Sequence, residues 1–161
     1  MSDDARPARW LDEQEQRHWR AYLRGSRLLE AALDRDLQEH GLQLSEYEII
    51  SMLSEATDRH LRMSEIAELV VQSRSRLTHT AARLEKRGWV LRQPCSQDRR
   101  GVELVLTPAG QAAIRAMAPL HVESVRAYLV DHLTPEQFAD LGEAMAAVRD
   151  GITGPPRDEP A

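Results

Sequence analysis

Two short helical patterns, separated by a tight turn and followed at once by two β-rich runs, are the feature of this sequence that most restricts its fold. Ile66, Leu69 and Val70 recur at helical spacing and predict a first short helix over residues 62–70. Ser73 is a favourable N-cap and predicts a second helix directly after the first. Two short helices with so short a connection are typical of a helix-turn-helix.

The second helix and the β-rich runs complete the pattern of a winged helix-turn-helix. The helix should end near Arg87, because Gly88 stands where glycine commonly terminates a helix. Residues 89–92 and 102–106 are short β-rich runs on either side of a polar stretch that contains Pro94. They predict a two-stranded β-hairpin with a long, basic tip, which forms the wing.

Capping residues mark further helix starts outside this segment. Ser45 and Glu48 have the spacing of a capping box and predict a helix to about residue 54. Thr107 and Thr134 each precede a proline, a combination that favours the first turn of a helix. Pro119 is expected to kink the helix that begins after Thr107. The predicted fold class is therefore mainly α with a small β part (α+β).

The chain of 161 residues suits one compact domain, and its patterns divide that domain into parts. Residues 10–40 and 108–150 carry long amphipathic helices, which we expect to form a dimerisation region. Residues 45–106 are the predicted winged lobe. Residues 1–9 and 151–161 lack periodicity and are expected to be flexible ends.

The distribution of charge points to nucleic acid, although the whole chain has a formal net charge of −5 at pH 7. Residues 72–101 hold eight Arg or Lys residues and two acidic ones, whereas the rest of the chain holds 13 basic and 24 acidic residues. A compact basic island on an acidic chain is the expected footprint of a DNA-binding face.

The second short helix has one apolar and one polar face. Leu77, Ala81 and Leu84 fall within an arc of about 60° and should face the core. The opposite face is polar and consists of Ser75, Arg76, His79, Arg83 and Lys86. Arg76 is the first candidate for a base contact, because its planar guanidinium can bond both O6 and N7 of guanine.

The hairpin tip contains Asp98, Arg99, Arg100 and Gly101. The two guanidinium groups stand on a reachable arm and suit a narrow, strongly negative minor groove. Phosphate would repel Asp98, so we expect it to pair with an arginine of the hairpin or of the neighbouring helix. Such a pair would keep the tip in shape and contribute little to stability if exposed.

The terminal helices carry more apolar surface than a lobe of this size can cover. Trp10, Trp19 and Tyr22 lie near one end of the chain, and Phe138 and Met145 lie on a stripe near the other. We therefore expect a homodimer whose copies cover each other's stripes. Twofold symmetry would require a nearly palindromic operator, with half-sites about 10 base pairs apart.

Three motifs resemble the MarR family of multiple-antibiotic-resistance regulators, in the order and spacing that the family uses. They are Arg83-Leu84-Glu85-Lys86-Arg87-Gly88-Trp89-Val90, Asp98-Arg99-Arg100 and Leu106-Thr107-Pro108-Ala109-Gly110. The resemblance extends over nearly the whole chain. It implies a triangular homodimer with interlocked terminal helices, whose two winged lobes place their recognition helices in successive major grooves.

The resemblance also implies a function and a set of site residues. Family members usually repress nearby genes and release DNA when a small, often aromatic, anion binds. Residues 73–79 would be the turn that reads the bases, and Arg100 would be the residue that enters the minor groove. At the position of Arg62, the family often has a threonine that caps the helix. With the polar helix face, the expected DNA-binding residues are Ser73, Arg74, Ser75, Arg76, Thr78, His79, Arg83, Lys86, Arg99 and Arg100.

Two alternatives to a sequence-specific regulator stay open. A sequence-tolerant DNA-binding scaffold would carry a similar arginine cluster, because phosphate contacts alone can explain one. A redox-responsive regulator could act through Cys95, the one cysteine of the chain, since nearby arginines favour a thiolate.

No cofactor is expected, and the residue patterns disfavour an enzyme. The histidines show no metal-ligand spacing; they are His18, His40, His60, His79, His121 and His132. No Gly-rich phosphate loop, nucleophile elbow or pair of catalytic carboxylates is found. The resemblance implies a ligand pocket between the lobe and the dimer helices. Candidate lining residues are His18, Trp19, Arg20, Tyr22 and Tyr47.

The expected partners are double-stranded DNA, a second copy of the chain and a small-molecule effector. The chain is expected in the cytoplasm, because no apolar run approaches the roughly 18 residues of a membrane span. The start Met-Ser-Asp-Asp also lacks the basic and apolar parts of a signal peptide.

Overall fold

The computed structural model describes residues 8–71, 73–95 and 101–154. Its helices are α1 (Glu13–Glu39), α2 (Leu44–Glu55), α3 (Met63–Leu69), α4 (Arg74–Lys86), α5 (Pro108–Tyr128) and α6 (Pro135–Thr153). Its strands are β1 (His60–Arg62), β2 (Val90–Pro94) and β3 (Val102–Leu106), and a short 3₁₀ helix spans Val130–His132. The expectation of a mainly helical chain with a small antiparallel sheet is confirmed.

The sheet has three strands rather than the two that the sequence predicted. Its order is β1-β3-β2, and both pairings are antiparallel. His60 pairs with Val105 on one side of β3, and Leu91 pairs with the same residue on the other. The sequence did not reveal β1, because three residues are too few to show an alternating pattern.

Two helix starts differ from the predicted ones. Helix α2 begins two residues early, with Gln43 as its N-cap, and the Glu46 carboxylate accepts the Gln43 N–H at 2.9 Å. The predicted capping pair of Ser45 and Glu48 therefore lies inside the helix. Helix α1 begins after Asp12 rather than at Trp10, because Asp12 forms a capping box there.

The ends of α4 and the start of α5 confirm the predicted capping residues. Ser73 Oγ accepts the Arg76 N–H at 3.3 Å, and Gly88 has the left-handed φ of +70° that a helix C-terminus commonly requires. Thr107 Oγ1 accepts the Gly110 N–H at 3.0 Å. Helix α5 continues through Pro119 to Tyr128.

The core lies in the winged lobe and is closed from one side by α5. Leu77, Ala81 and Leu84 of α4 are buried, as predicted, and Thr80 is buried beside them. The other buried apolar side chains are Leu37, Leu42, Tyr47, Ile49, Ile50, Leu53, Ile66, Val90, Leu104, Leu106 and Ile114.

Helices α1 and α6 contribute little to this core. Among the 27 residues of α1 only Leu37 is buried, and none of the residues of α6 is buried. The exposed apolar residues of α6 are Phe138, Leu141, Met145, Val148 and Ile152. Within the described ranges, no helix is long and apolar enough to cross a membrane.

Candidate nucleic-acid interface

The outer face of α4 exposes every DNA-binding residue predicted on that helix and its cap. These are Ser73, Arg74, Ser75, Arg76, Thr78, His79, Arg83 and Lys86. The first turn of α4 holds no acidic residue, so its positive helix end is not neutralised within the turn. An N-terminus of this kind suits anions such as phosphate.

A cleft separates α4 from the wing and has a volume of about 570 Å³. Arg74 and Thr78 line its α4 side, and Gly101 and Val102 line its wing side. Arg62 and Arg92 also line it. The structure thus brings the start of α4 and the base of the wing to one basic cleft, which a linear sequence pattern does not show.

Arg92 fastens the wing to α4 and was not among the predicted site residues. Its Nη2 donates to the Thr78 carbonyl at 3.3 Å, and its Nε lies 3.3 Å from a Glu85 carboxylate oxygen. Arg92 therefore links the wing strand β2 to α4 beside the cleft.

A second groove, of about 360 Å³, lies on the other side of α4. Gln43 and Ser45 of the α2 start line it together with residues of the α4 outer face. Those α4-side residues are Ser73, Ser75, Arg76, His79, Thr80 and Arg83. The start of α2 was not predicted to lie beside α4.

A buried carboxylate joins these two helices. Glu46 is 1% exposed, and its Oε1 lies 3.2 Å from Arg83 Nε and 3.7 Å from Arg87 Nε. Arg83 Nη2 also donates to Gln43 Oε1 at 2.6 Å. The predicted phosphate contact Arg83 is thus tied to α2, while 45% of its side-chain surface stays exposed.

The predicted wing-tip residues Asp98, Arg99 and Arg100 lie outside the described residues. Beside them, the Cys95 N–H donates to the Gly101 carbonyl at 2.9 Å, which keeps the two strands paired up to the tip. Cys95 itself is only 5% exposed. Burial limits the access of an oxidant to its thiol and so disfavours the redox alternative.

A cavity of about 510 Å³ lies between α1, the start of α2 and the turn that leads into α4. Its charged lining residues are Glu30, Asp34, Glu48, Arg27 and Arg76. Burial raises the pKa of Glu48, the Glu30 carboxylate raises it further, and Arg76 acts in the opposite direction. Arg76, the first candidate for a base contact, therefore lines this cavity as well as the groove on the outer side of α4.

The candidate ligand residues His18, Trp19, Arg20, Tyr22 and Tyr47 do not line this cavity. Trp19 and Tyr22 stack on each other, with centroids 5.9 Å apart, and both are exposed on α1. Tyr47 is buried against His121. Across the described part of the chain, no group of three or more His, Cys, Asp or Glu residues is arranged to hold a metal ion.

Comparison with known proteins adds to this geometry. The sequence model of the MarR family matches residues 42–102, from the loop before α2 to the start of β3. A curated relative, the HTH-type transcriptional regulator PecS of Dickeya dadantii (strain 3937), is 34% identical over 104 residues, which are 64% of this chain and 63% of PecS. The chain thus spans a little less than two thirds of the length of that relative.

Two solved structures resemble the chain over almost its whole length. Sco3205 of Streptomyces coelicolor, a MarR family transcriptional regulator solved in complex with DNA, is 44% identical, with a TM-score of 0.88. The match covers 95% of this chain and 96% of that one. AbsC, a MarR family transcriptional regulator of the same organism, is 41% identical with a TM-score of 0.85, over 92% of this chain and 100% of that one.

Proposed function

This chain belongs to the MarR family, and we propose that it is a dimeric, sequence-specific DNA-binding transcriptional regulator that acts as a repressor. The observation that carries the proposal is the exposed polar face of α4 beside a cleft lined by Arg62, Arg74 and Arg92. A helix and a wing on either side of a basic cleft suit the major groove and the neighbouring backbone of one duplex.

Each part of the interface has its own role in this proposal. Residues 73–79 face the base edges, and Arg76 pairs with a guanine through both of its terminal nitrogens. Arg83 and Lys86 lie nearer the end of α4 and contact phosphates. Arg99 and Arg100 enter the minor groove, while Asp98 and Gly101 set the shape of the tip.

The proposed dimer rests on the apolar stripe of α6. Its five exposed residues recur at steps of three and four along the helix, which is the spacing of a helix–helix seam. Exposed Trp19 and Tyr22 add apolar surface on α1. A second copy of the chain would cover both helices and place two α4 helices on one face of the DNA.

Release by a small ligand is part of the proposal. The cavity beside α1 is lined by Arg76 as well as by α1 residues, so an occupant would touch the dimer region and the recognition helix together. An occupant that binds better when the two lobes have a spacing unsuited to DNA would then weaken DNA binding, with a coupling free energy of about 1–3 kcal/mol. An anionic, aromatic effector would have to bind beside Arg27 and Arg76, because the other charged groups of the lining are acidic.

Selection from a random-sequence duplex pool, followed by salt titration, tests this function. The selected duplex should bind tightly at moderate salt, and a scrambled duplex of equal length should compete poorly. Arg76→Ala should lower the affinity for the selected duplex about tenfold or more and relax preference at one base pair. Arg17→Ala, an exposed arginine of α1, is the matched control and should leave the affinity unchanged.

The same titration separates the alternatives. Equal affinity for selected and scrambled duplexes would favour the scaffold. Lys86→Ala removes one proposed phosphate contact and should reduce the magnitude of the slope of log affinity against log salt by about 0.9. A redox-responsive regulator predicts that peroxide releases DNA from the wild type and not from Cys95→Ser.

A further inference from the structure

Glu46 is a charged residue in the buried part of the protein, where charged side chains are rare. It lies on the first turn of α2 and is 1% exposed. One carboxylate oxygen accepts the Gln43 N–H at 2.9 Å, and the other faces Arg83 and Arg87. A buried carboxylate is tolerated when hydrogen bonds and opposite charges surround it, and here both are present.

Arg83 of α4 and Arg87, the C-cap residue of that helix, stand one helical turn apart and share this carboxylate. Both also bind the corner between α1 and α2: Arg83 Nη2 donates to Gln43 Oε1 at 2.6 Å, and Arg87 Nη2 donates to the Gly41 carbonyl at 2.7 Å. The Arg87 guanidinium lies over the Trp89 ring, 4.9 Å from its centroid. The end of the recognition helix is therefore fastened to the corner where the dimerisation helix α1 ends.

Glu46 and Gln43 fix the orientation of the Arg83 side chain. Two of its nitrogens are engaged on the protein side, and 45% of its side-chain surface faces solvent. An arginine held in this way loses less side-chain entropy when it meets a phosphate than one that moves freely.

We propose that Glu46 is a positioning residue for DNA binding, whose buried carboxylate fixes the Arg83 guanidinium for its phosphate contact and holds the end of α4 against the α1–α2 corner. The inference rests on the proposed function, because it requires that Arg83 meet DNA. It assigns a role in DNA recognition to an acidic residue, although a carboxylate by itself repels the phosphates of DNA.

A merely electrostatic role predicts the opposite result. A carboxylate near the DNA backbone repels phosphate, so its neutralisation would strengthen binding to any duplex. A positioning role predicts that neutralisation weakens binding to both duplexes, because the phosphate contact of Arg83 is made to any sequence. A merely structural role predicts a lower unfolding midpoint, with unchanged affinities for both duplexes well below that midpoint.

A double-mutant cycle on the full-length protein tests the inference. Glu46→Gln keeps the shape of the side chain and an oxygen for the Gln43 N–H but removes the charge. Dissociation constants for the selected and scrambled duplexes are measured for the wild type, Glu46→Gln, Arg83→Ala and the double variant, well below the unfolding midpoint of each. Glu39→Gln removes one exposed carboxylate of α1 and is the control for net charge.

Glu46→Gln and Arg83→Ala should each weaken binding to the selected duplex about tenfold, as expected for one charge-assisted hydrogen bond. Because Glu46 acts through Arg83, the double variant should be only about tenfold weaker than the wild type. Independent effects, which would make it about a hundredfold weaker, overturn the inference. So does an Arg83→Ala variant that binds like the wild type.

A second variant keeps the test decisive if Glu46→Gln does not fold. Gln43→Ala leaves the buried carboxylate in place and removes only the 2.6 Å bond to Arg83. It should weaken binding to the selected duplex about threefold and have no further effect when Arg83 is alanine. A further loss in that background overturns the inference, whereas a wild type that binds neither duplex overturns the proposed function itself.

Discussion

The Tyr47 ring of α2 packs against the His121 ring of α5, with centroids 4.2 Å apart and planes inclined by 39°. Tyr47 is 7% exposed, and burial raises the pKa of its hydroxyl. The buried His121 Nδ1 has no hydrogen-bond partner among the described residues. Burial lowers the pKa of His121, because the imidazolium would be poorly solvated beside the core. The contact joins the winged lobe to a helix of the predicted dimerisation region.

Burial of His121 should make the stability of the protein depend on pH. Because the pKa of His121 is lower in the folded chain, the unfolded chain binds more protons below its ordinary value of about 6.5. The contribution of His121 to stability is therefore present above about pH 6.5 and is lost as the pH falls toward the folded-state pKa. Thermal unfolding between pH 7.5 and pH 5 should show a falling midpoint.

Two variants identify the group responsible. His121→Phe keeps an aromatic ring against Tyr47 and removes the titration, so its midpoint should fall less over the same pH range. His18→Asn removes an exposed histidine of α1 and should retain the full dependence. If His121→Phe follows the same pH curve as the wild type, the dependence arises elsewhere.

Local signals in the sequence predicted the parts of the fold that local chemistry decides. Ser73, Gly88 and Thr107 each perform the capping role expected from residue type alone. The face of α4 followed from helical periodicity, since Leu77 and Leu84 are buried and Arg76 is exposed.

Contacts between distant segments were not predictable in this way. The Glu46–Arg83 pair joins residues 37 positions apart, and β1 exists only because its residues pair with β3. The predicted cap of α2 was Ser45, whereas the helix begins after Gln43, two residues beyond the left-handed turn at Gly41. One usable signal for Glu46 was present, namely a carboxylate three residues after Gln43.

The position of Gly110 leaves no room for a side chain, which explains why the Thr-Pro-Ala-Gly segment ends in glycine. A Cβ at this position would lie 2.2 Å from the Trp89 carbonyl oxygen and 2.7 Å from Leu106 Cδ1. That carbonyl also accepts the Thr107 N–H at 3.0 Å, which restrains its movement. Gly110→Ala should therefore lower the free energy of unfolding by about 1–3 kcal/mol in urea denaturation, although alanine is the better helix former.

An exposed position of the same helix provides the comparison for Gly110. Ala112→Gly changes helix propensity without a packing contact of this kind and should lower the free energy of unfolding by about 1 kcal/mol. The expected pattern is that glycine is better at position 110 and alanine is better at position 112. A stabilised Gly110→Ala variant would show that the α5 start can move away from Trp89.

Val71 adopts an unfavourable backbone conformation in the turn before α4. Its φ is +51°, in the left-handed region that a β-branched residue rarely occupies, and its side chain is 90% exposed. Val71→Gly should raise the free energy of unfolding by about 0.5–1 kcal/mol, because relief of this strain exceeds the entropy lost by glycine.

The neighbouring valine is the natural control for Val71. Val70 has a φ of −86° and packs against the core, so Val70→Gly should lower the free energy of unfolding by at least about 1 kcal/mol. Urea denaturation of both variants should therefore show changes of opposite sign in the free energy of unfolding. Destabilisation by Val71→Gly would mean that the side chain makes contacts in the assembled protein.

The α6 stripe predicts how the proposed dimer can be broken. Met145 lies at the middle of the stripe and is 38% exposed in one protomer. In a twofold interface of the Met145→Asp variant, each protomer would bury one unpaired carboxylate, and each carboxylate costs about 3 kcal/mol or more. We expect sedimentation velocity to find a wild-type dimer and a variant weakened more than a hundredfold. Ala139→Asp introduces the same charge on another face of α6 and should leave the dimer intact. A Met145→Asp dimer as tight as the wild type would remove α6 from the interface.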